Sequence, residues 1–270
     1  MRTPMNEQPA GIRIWVALDE SPSSAAALTA AAALAAEMDA ELAGLFVEDV
    51  NLQHLIGLPF AREFSLLTGA GSPLSLGEVE RTWQREAETM QRLLAEAASR
   101  LRLRWSFRVA RGRVLAEMNA LARAFDLIVL GKRSDMGVMA AFPGSPRFTR
   151  IHPQVGPVLV LFEVGSSFTP SLDLGARLAR LNGAELVVLV SAADEYAYRA
   201  ACAAAQAALK ARDLSGRCVW LSTLNDSNLV KAAHREVASC LVLANKERFL
   251  TQAGFERMLD EIECPLLLTG

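Results

Sequence analysis

Short apolar runs alternate with longer helical segments along the first half of the chain, and this alternation restricts the fold more than any other feature. The predicted strands are residues 12–18, 42–47, 105–110 and 127–130, and the predicted helices are residues 21–38, 78–101 and 114–124. Strands that alternate with helices form a parallel sheet with helices on both faces. Ligands of such sheets bind at the carboxyl ends of the strands, near the point where the strand order reverses. The sequence therefore predicts a doubly wound α/β fold.

Two of these helices have clear local signals. Ser21 is suited to cap the first helix, and Pro22 is suited to its first turn. The helix over residues 78–101 carries apolar side chains three and four residues apart, which is the spacing of an amphipathic helix. Three tryptophans fall on apolar faces and are expected in the core: Trp83, Trp105 and Trp220.

The second half of the chain repeats the first. One constant shift in numbering places Leu28 on Leu172 and Ala40-Glu41-Leu42 on Ala184-Glu185-Leu186. An internal repeat of this length indicates tandem domains that duplicated and diverged. We predict an N-terminal domain over residues 1–156 and a C-terminal domain over residues 157–270, each with its own parallel sheet. Together they would form an intramolecular pseudo-dimer.

One apolar run at the junction has two possible roles. The run over residues 157–162 stands where a fifth strand of the first copy belongs, and also where the first strand of the second copy belongs. Either one strand serves both copies or one copy has lost a strand. Both options imply a tight junction, because no Gly/Ser/Pro-rich linker separates the copies.

One loop has the composition of a phosphate site. The apolar run over residues 127–130 ends at Gly131, and the spacing continues as Gly131-x2-Ser134-x9-Gly144-Ser145. Glycine at a strand end lets backbone N–H groups approach an anion, because no Cβ stands in the way. A serine that opens the next helix offers its hydroxyl and its N–H to the same phosphate. The same residues also fit an ordinary turn and helix cap, with Pro146 in the first helical turn.

The order of elements and this loop together resemble the universal stress protein family. The matching residues are Val16-Ala17-Leu18-Asp19-Glu20-Ser21 after the first strand, Gly112 after the third, Asp126 to Gly131 at the fourth, and the spacing from Gly144-Ser145 to Pro157. The resemblance covers nearly the whole first half and, more weakly, the second. It implies a Rossmann-like fold that binds ATP or another adenine nucleotide, with or without Mg²⁺. The family's loop has glycine where this chain has Ser134.

The resemblance also implies where the nucleotide would bind. In family members that bind ATP, the strand-one aspartate lies near adenine and ribose, the end of strand two flanks the base, and the glycine loop holds the phosphates. By position this implies a nucleotide-binding set of Ala17, Asp19, Val47, Gly112, Leu130, Gly131, Ser134, Gly144, Ser145 and Pro146. Asp19 fits two roles, as a binding carboxylate or as a helix-capping or loop carboxylate. At Ser134 a positive φ would cost about 1 kcal/mol or more, whereas a negative φ would let the hydroxyl donate to the phosphate.

The second copy lacks such a loop. Ala244 stands where Gly131 stands in the first copy, and Glu247 brings a negative charge to the phosphate position. No Gly-Ser pair follows before Pro265. We therefore expect at most one nucleotide per chain, bound by the N-terminal domain.

Composition argues against several classes of function. A net charge of −2 and a pI near 6.0 leave no basic surface for nucleic acid. The first residues lack an apolar signal region, and the longest uncharged early run is too short to span a bilayer, so we expect a cytoplasmic protein without a membrane partner. The four cysteines show no zinc spacing and are expected to be reduced structural thiols. Neither catalytic residues nor a metal site is predicted, because no such cluster has a suitable spacing.

Residues 50–77 form a long segment with little periodicity, and such segments inside compact domains are usually functional or disordered. The leading interpretation of the whole chain is a stress-response regulatory protein that binds an adenine nucleotide in its N-terminal domain and has at most weak ATPase activity. A homodimer is a further partner that this interpretation leaves open. The alternative is an interaction module that has lost nucleotide binding and acts through residues 50–77. An adenine-nucleotide-dependent enzyme on the same fold ranks last.

Overall fold

The computed structural model describes residues 11–19, 21–49, 62–64, 71–73, 76–112, 114–121, 126–131, 156–162, 168–244, 246–252 and 254–270. The strands are β1 (Arg13–Leu18), β2 (Glu41–Asp49), β3 (Arg62–Phe64), β4 (Gly71–Pro73), β5 (Trp105–Gly112), β6 (Leu127–Leu130), β7 (Val158–Phe162), β8 (Leu186–Ser191), β9 (Arg217–Leu221), β10 (Cys240–Leu243) and β11 (Leu266–Thr269). The helices are α1 (Pro22–Met38), α2 (Leu76–Leu101), α3 (Val114–Leu121), α4 (Phe168–Asn182), α5 (Glu195–Lys210), α6 (Asp226–Arg235), α7 (Lys246–Thr251) and α8 (Phe255–Glu261).

Nine of the strands form one continuous sheet in the order β5-β2-β1-β6-β11-β10-β7-β8-β9. All neighbouring strands are parallel except β6 and β11, which pair antiparallel with Leu130 opposite Leu266 and Leu127 opposite Thr269. The predicted doubly wound α/β fold is confirmed. The two sheets that the sequence predicts differ from the structure in one respect, because they are hydrogen-bonded edge to edge into a single sheet.

The two halves of the sheet have the same strand order. In the first half of the sheet the strand order is β5-β2-β1-β6, and in the second half the corresponding order is β9-β8-β7-β10, followed by β11. Leaving aside β3 and β4, which form a separate pair, each half thus places its third, second, first and fourth strands side by side. The strand at the junction, β7, pairs with β8 and β10 and so lies within the second half. The place beside β6, where a fifth strand of the first half would lie, is occupied by β11. The duplication that this symmetry suggests, and the exact domain boundaries, stay predictions.

Because β6 and β11 are antiparallel, the strands of the two halves run in opposite directions. Their carboxyl ends therefore lie at opposite edges of the sheet, where an edge is the row formed by the ends of the strands. The end of β6 and the start of β7 therefore lie at the same edge, separated by β11 and β10. With strands about 4.8 Å apart, this separation is about 14 Å. The chain between Gly131 and Gly156, which contains the predicted phosphate loop, consequently connects one half of the sheet to the other.

Helices cover both faces of the sheet, and the apolar residues divide into two core clusters. The first face carries α1, α2, α4 and α5, and the second face carries α3, α6, α7 and α8. The central strands β6, β7 and β10 are buried at every position, as expected for strands with a neighbour on each side and helices above and below. Helices also meet across the junction, where α1 packs on α4 and α3 packs on α7.

The start of α1 shows why the chain turns where it does. Ser21 is the N-cap residue, and its hydroxyl accepts a hydrogen bond from the Ser24 N–H at 3.0 Å. Pro22 follows at the first helical position, where its missing N–H costs nothing. Both sequence predictions for this turn are confirmed.

Close approach of a helix to the sheet depends on one glycine in the second half. A Cβ at Gly175 in α4 would lie 2.2 Å from Cγ2 of Val160 in β7, which is closer than real Cβ contacts. Glycine at this position therefore lets α4 pack directly on the central strand.

The tryptophans and cysteines only partly follow the sequence predictions. Trp83 is buried as predicted, but Trp105 and Trp220 are 38% and 40% exposed because they lie on the two outermost strands of the sheet. The four cysteines are free thiols; Cys240 and Cys264 are buried, whereas Cys202 and Cys218 are half-buried. Within the described part of the chain, no helix is both long enough and apolar enough to cross a membrane.

Candidate functional site

The predicted site lies where the strand order reverses in the first half of the sheet. From β1 the chain passes through α1 to β2 on one side, whereas β6 lies on the other side of β1. Strands β1 and β6 therefore form the point where the strand order reverses, which is the usual position of a ligand in an open α/β sheet. Val16 pairs with Val129, so Leu130 and Gly131 lie beside Ala17 and Leu18 at this edge.

Four of the predicted residues lie on the same face of the sheet. Ala17, Val47 and Leu130 belong to the second-face cluster or pack against it. Gly112 points to that face too, since it is two residues beyond Ala110, which is part of the same cluster. Across β6, β1, β2 and β5, this set spans about 14 Å. The structure thus places these four residues on one apolar face at this edge of the sheet, next to α3.

Asp19 holds the turn that leads from β1 into α1. Its Oδ1 accepts a hydrogen bond from the Ser21 N–H at 2.8 Å, and its own N–H donates to the Ser24 hydroxyl at 2.9 Å. Ser21 and Ser24 are themselves buried. Of the two roles that the sequence left open, the loop-carboxylate role is therefore visible directly. The same hydrogen bonds hold the carboxylate just beyond the carboxyl end of β1.

Gly131 follows β6 directly and is half-buried at the edge of the sheet. The other residues predicted to contact phosphate, namely Ser134, Gly144, Ser145 and Pro146, lie outside the described residues. The structure therefore places the residues predicted to surround the base and the first glycine of the loop.

Among the described residues near this edge, Arg111 is the cation whose partners the structure shows. Arg111 Nε lies 2.8 Å from a carboxylate oxygen of Glu48, and Arg111 Nη2 lies 3.9 Å from Glu80. The hydrogen bond to Glu48, more than any other contact, raises the pKa of Arg111. The guanidinium is thus already paired. Attraction for a phosphate would have to come from backbone N–H groups or from residues beyond Gly131.

Sequence reasoning missed two neighbours of the site. Glu117 in α3 is the nearest group to Gly112, since a Cβ on that glycine would lie 2.8 Å from the Glu117 carboxylate. Cys264 and Pro265 precede β11, whose Leu266 pairs with Leu130, so the second half of the chain forms part of the edge beside β6. Local spacing carried no signal for either neighbour, because both follow from helix packing and strand order.

A shallow groove of about 390 Å³ lies elsewhere, at the opposite edge of the first half. It runs between the start of β6 at Asp126, the chain end at Gly270, and α4 at Leu174 and Arg177. Arg177 forms an ion pair of 3.2 Å with Glu37 of α1 across the junction of the two halves. The groove is therefore a feature of the junction and is separate from the predicted nucleotide site.

The described residues at this edge form a small, apolar surface. Ala17 and Val47 are half-buried and apolar, and Gly112 and Gly131 add no side chain above it. A flat aromatic base packs well on such a surface.

Comparison with known proteins gives a fold but no close relative in sequence. No protein-family model matches the chain, and no curated protein matches it. A universal stress protein from Archaeoglobus fulgidus DSM 4304 superposes with a TM-score of 0.57 at 10% identity, and the match covers 95% of each chain. The chain has the universal stress protein fold.

Two further universal stress proteins match with lower TM-scores. A putative universal stress protein from Pseudomonas aeruginosa UCBPP-PA14 is 16% identical with a TM-score of 0.46, covering 95% of this chain and 92% of that one. A universal stress protein in complex with cAMP is 19% identical with a TM-score of 0.34, covering 43% of this chain and 97% of that one. Similarity at this level is too low to transfer a ligand or a site. The universal stress protein fold itself rests on the Archaeoglobus match and on the strand order.

Proposed function

We propose that this protein is a regulatory module that binds an adenine nucleotide in the first half of its sheet. One observation carries the proposal: Ala17, Val47, Gly112, Leu130 and Gly131 converge at one edge, at the point where the strand order reverses. A universal stress protein fold with this convergence has its natural ligand position there.

The roles of the residues follow from their positions. Ala17 and Val47 would pack against the base, because both are apolar and half-buried at this edge, and the buried Leu130 would support that surface from the core. Asp19, held by Ser21 and Ser24, would accept hydrogen bonds from the ribose hydroxyl groups. Gly131 would let backbone N–H groups approach the phosphates.

Two glycine variants provide a matched test by isothermal titration of the full chain with ATP and Mg²⁺. In Gly131→Val the new side chain would obstruct the approach of the phosphates, so the dissociation constant is expected to rise about tenfold or more, equivalent to about 1.4 kcal/mol. Gly11→Val is the control, since Gly11 precedes β1 at the opposite edge and a Cβ there would meet only the Arg104 guanidinium, at 3.5 Å. Its affinity is expected to equal that of the wild type.

Two results would overturn the proposal. One is a wild-type protein without saturable ATP binding at concentrations up to about 1 mM, which corresponds to about −4.1 kcal/mol. The other is a Gly131→Val variant that binds as tightly as the Gly11→Val control.

A second candidate function is an interaction module that acts through residues 50–77. One observation favours it: within this segment β3 and β4 pair with each other, Arg62 opposite Pro73, and not with the nine-stranded sheet. The described part of the segment is thus an addition to the sheet rather than part of it. Absence of ATP binding in the titration would make this the leading function.

A further inference from the structure

Two half-buried cysteines face each other between α5 and the edge strand β9. Cys202 lies on α5 and Cys218 lies on β9, and both pack against the first-face core. Neither cysteine belongs to the predicted nucleotide site, and both lie far along the sheet from it.

Contacts at both ends of β9 fix how the helix lies over the strand. Tyr198 near the start of α5 stacks on Trp220, with ring centroids 5.3 Å apart. Leu209 near the end of α5 lies over Gly216, where a Cβ would be 3.3 Å from Leu209 Cδ1. The helix therefore runs antiparallel to β9.

This arrangement places the two thiols opposite each other. Cys202 is one turn beyond Tyr198 and so projects from the same side of α5. Cys218 lies between Gly216 and Trp220 with the same side-chain direction, because alternate residues of a strand point to the same face. Tyr198 adds a direct link, since its hydroxyl donates to the Cys218 carbonyl at 3.3 Å.

From this geometry we propose that Cys202 and Cys218 form a reversible disulfide that fixes α5 against β9 when the protein meets a hydroperoxide. The Cys202 sulfur attacks one oxygen of hydrogen peroxide, and the O–O bond breaks. Cys202 becomes a sulfenic acid, and the second oxygen leaves as water. The Cys218 sulfur then attacks the Cys202 sulfur and displaces hydroxide, which takes the Cys218 proton and leaves as water. Two thiols and one hydrogen peroxide thus give one disulfide and two waters.

Burial of the pair determines how the rate of disulfide formation depends on pH. Burial, together with a hydrogen bond with Cys202, raises the pKa of Cys218 to about 12. Burial and a hydrogen bond with Cys202 also raise the pKa of Tyr198 to about 12. Cys218 is therefore a thiol at neutral pH. Because a cysteine sulfur attacks as the thiolate, the second step is slow at neutral pH, and disulfide formation is expected to accelerate as the pH rises.

Peptide mapping of the full-length protein tests the proposal. The folded chain is treated with hydrogen peroxide, its remaining thiols are alkylated, and it is digested with trypsin. Cleavage after Arg199 and Lys210 releases residues 200–210, and cleavage after Arg217 and Lys231 releases residues 218–231. The expected result is a linked pair of these two peptides, which separates again after treatment with a thiol reductant.

Controls are present in the same chain. Cys240 and Cys264, each 2% exposed, are expected to stay reduced under conditions that convert Cys202 and Cys218. The variants Cys202→Ser and Cys218→Ser are each expected to lose the linked peptide completely. Oxidation is also expected to change the tryptophan fluorescence of the wild type, and Trp220→Phe is expected to remove that change because Trp220 lies beside the pair.

Three results would overturn the proposal. The first is that the folded wild type keeps both peptides free at a peroxide concentration that links them in urea. The second is a link between Cys202 residues of two chains, seen as a covalent dimer on a non-reducing gel. The third is that Cys240 or Cys264 is consumed as fast as Cys202.

Discussion

Asp19 shows that the type of a residue does not by itself determine the role of its side chain. A carboxylate after the first strand fits a nucleotide site and a helix start equally well. The folded chain settles part of this, because Asp19 accepts from the Ser21 N–H and its N–H donates to Ser24. Trp105 and Trp220 show that an apolar pattern does not by itself determine burial. Their patterns predict buried side chains, but both residues lie on the outermost strands and are exposed.

Two carboxylates in the second half are expected to respond to pH in opposite directions. Burial raises the pKa of Asp226 above its ordinary value of 3.8, and the hydrogen bond from Arg217 is the main cause that lowers the pKa of Glu236 below 4.5. A raised pKa means that the folded state binds the proton more tightly than the unfolded state, so lowering the pH favours folding. A lowered pKa has the opposite effect.

The test is urea denaturation of Asp226→Asn and Glu236→Gln between pH 7 and pH 3. The stability of the wild type relative to Asp226→Asn is expected to increase as the pH falls through the raised pKa toward 3.8. The stability of the wild type relative to Glu236→Gln is expected to decrease as the pH falls from 4.5 through the lowered pKa. Parallel pH profiles for the two variants would contradict at least one of the assignments.

Individual helices and strands are the scale at which the sequence was most informative. The Ser21-Pro22 signal gives the start of α1, and the periodicity of residues 78–101 gives most of α2. These elements depend on local capping and on one apolar face, both of which are written in adjacent residues. The contact between α4 and β7 is different, since the need for glycine at position 175 comes from Val160 on another element.

Gly175→Ala is expected to destabilise the protein although alanine favours helices. The new Cβ would lie 2.2 Å from Val160 Cγ2, so α4 has to move away from β7, at a cost of about 1–3 kcal/mol. Gly77→Ala in α2 is the matched control, because its Cβ would have Arg81 Nη2 as nearest atom, at 3.9 Å. The free energy of unfolding of this control is expected to stay within about 1 kcal/mol of the wild type. Equal stability of the two variants would show that α4 does not approach β7 as closely as described.

The whole molecule is organised by the antiparallel pair β6–β11. This pair joins the halves into one sheet, and it places the beginning and the end of the chain segment from Gly131 to Gly156 in different halves. Contacts between α1 and α4, including the ion pair of Glu37 with Arg177, add to the junction. The two halves are thus expected to unfold together.

Leu267→Ala tests this coupling at the junction itself. Leu267 is fully buried in β11 and lies opposite Val129 of β6, so its truncation is expected to cost about 2–5 kcal/mol. Hydrogen exchange of the full chain is expected to show the same loss of protection in β2 and in β8, which lie in different halves. A loss confined to β8 would indicate that the halves unfold independently.

By itself the sequence determined the α/β class and the order of most elements, because caps and periodicity are local properties, whereas its glycine loop stays a prediction. Tertiary structure decided which strands are neighbours. It assigned β7 to the second half, put β11 beside β6, and brought Ala17, Val47, Gly112 and Leu130 to one face. It also set Cys202 opposite Cys218. The physical reason is that strand pairing and helix packing depend on contacts between residues far apart in the chain, which local patterns do not record.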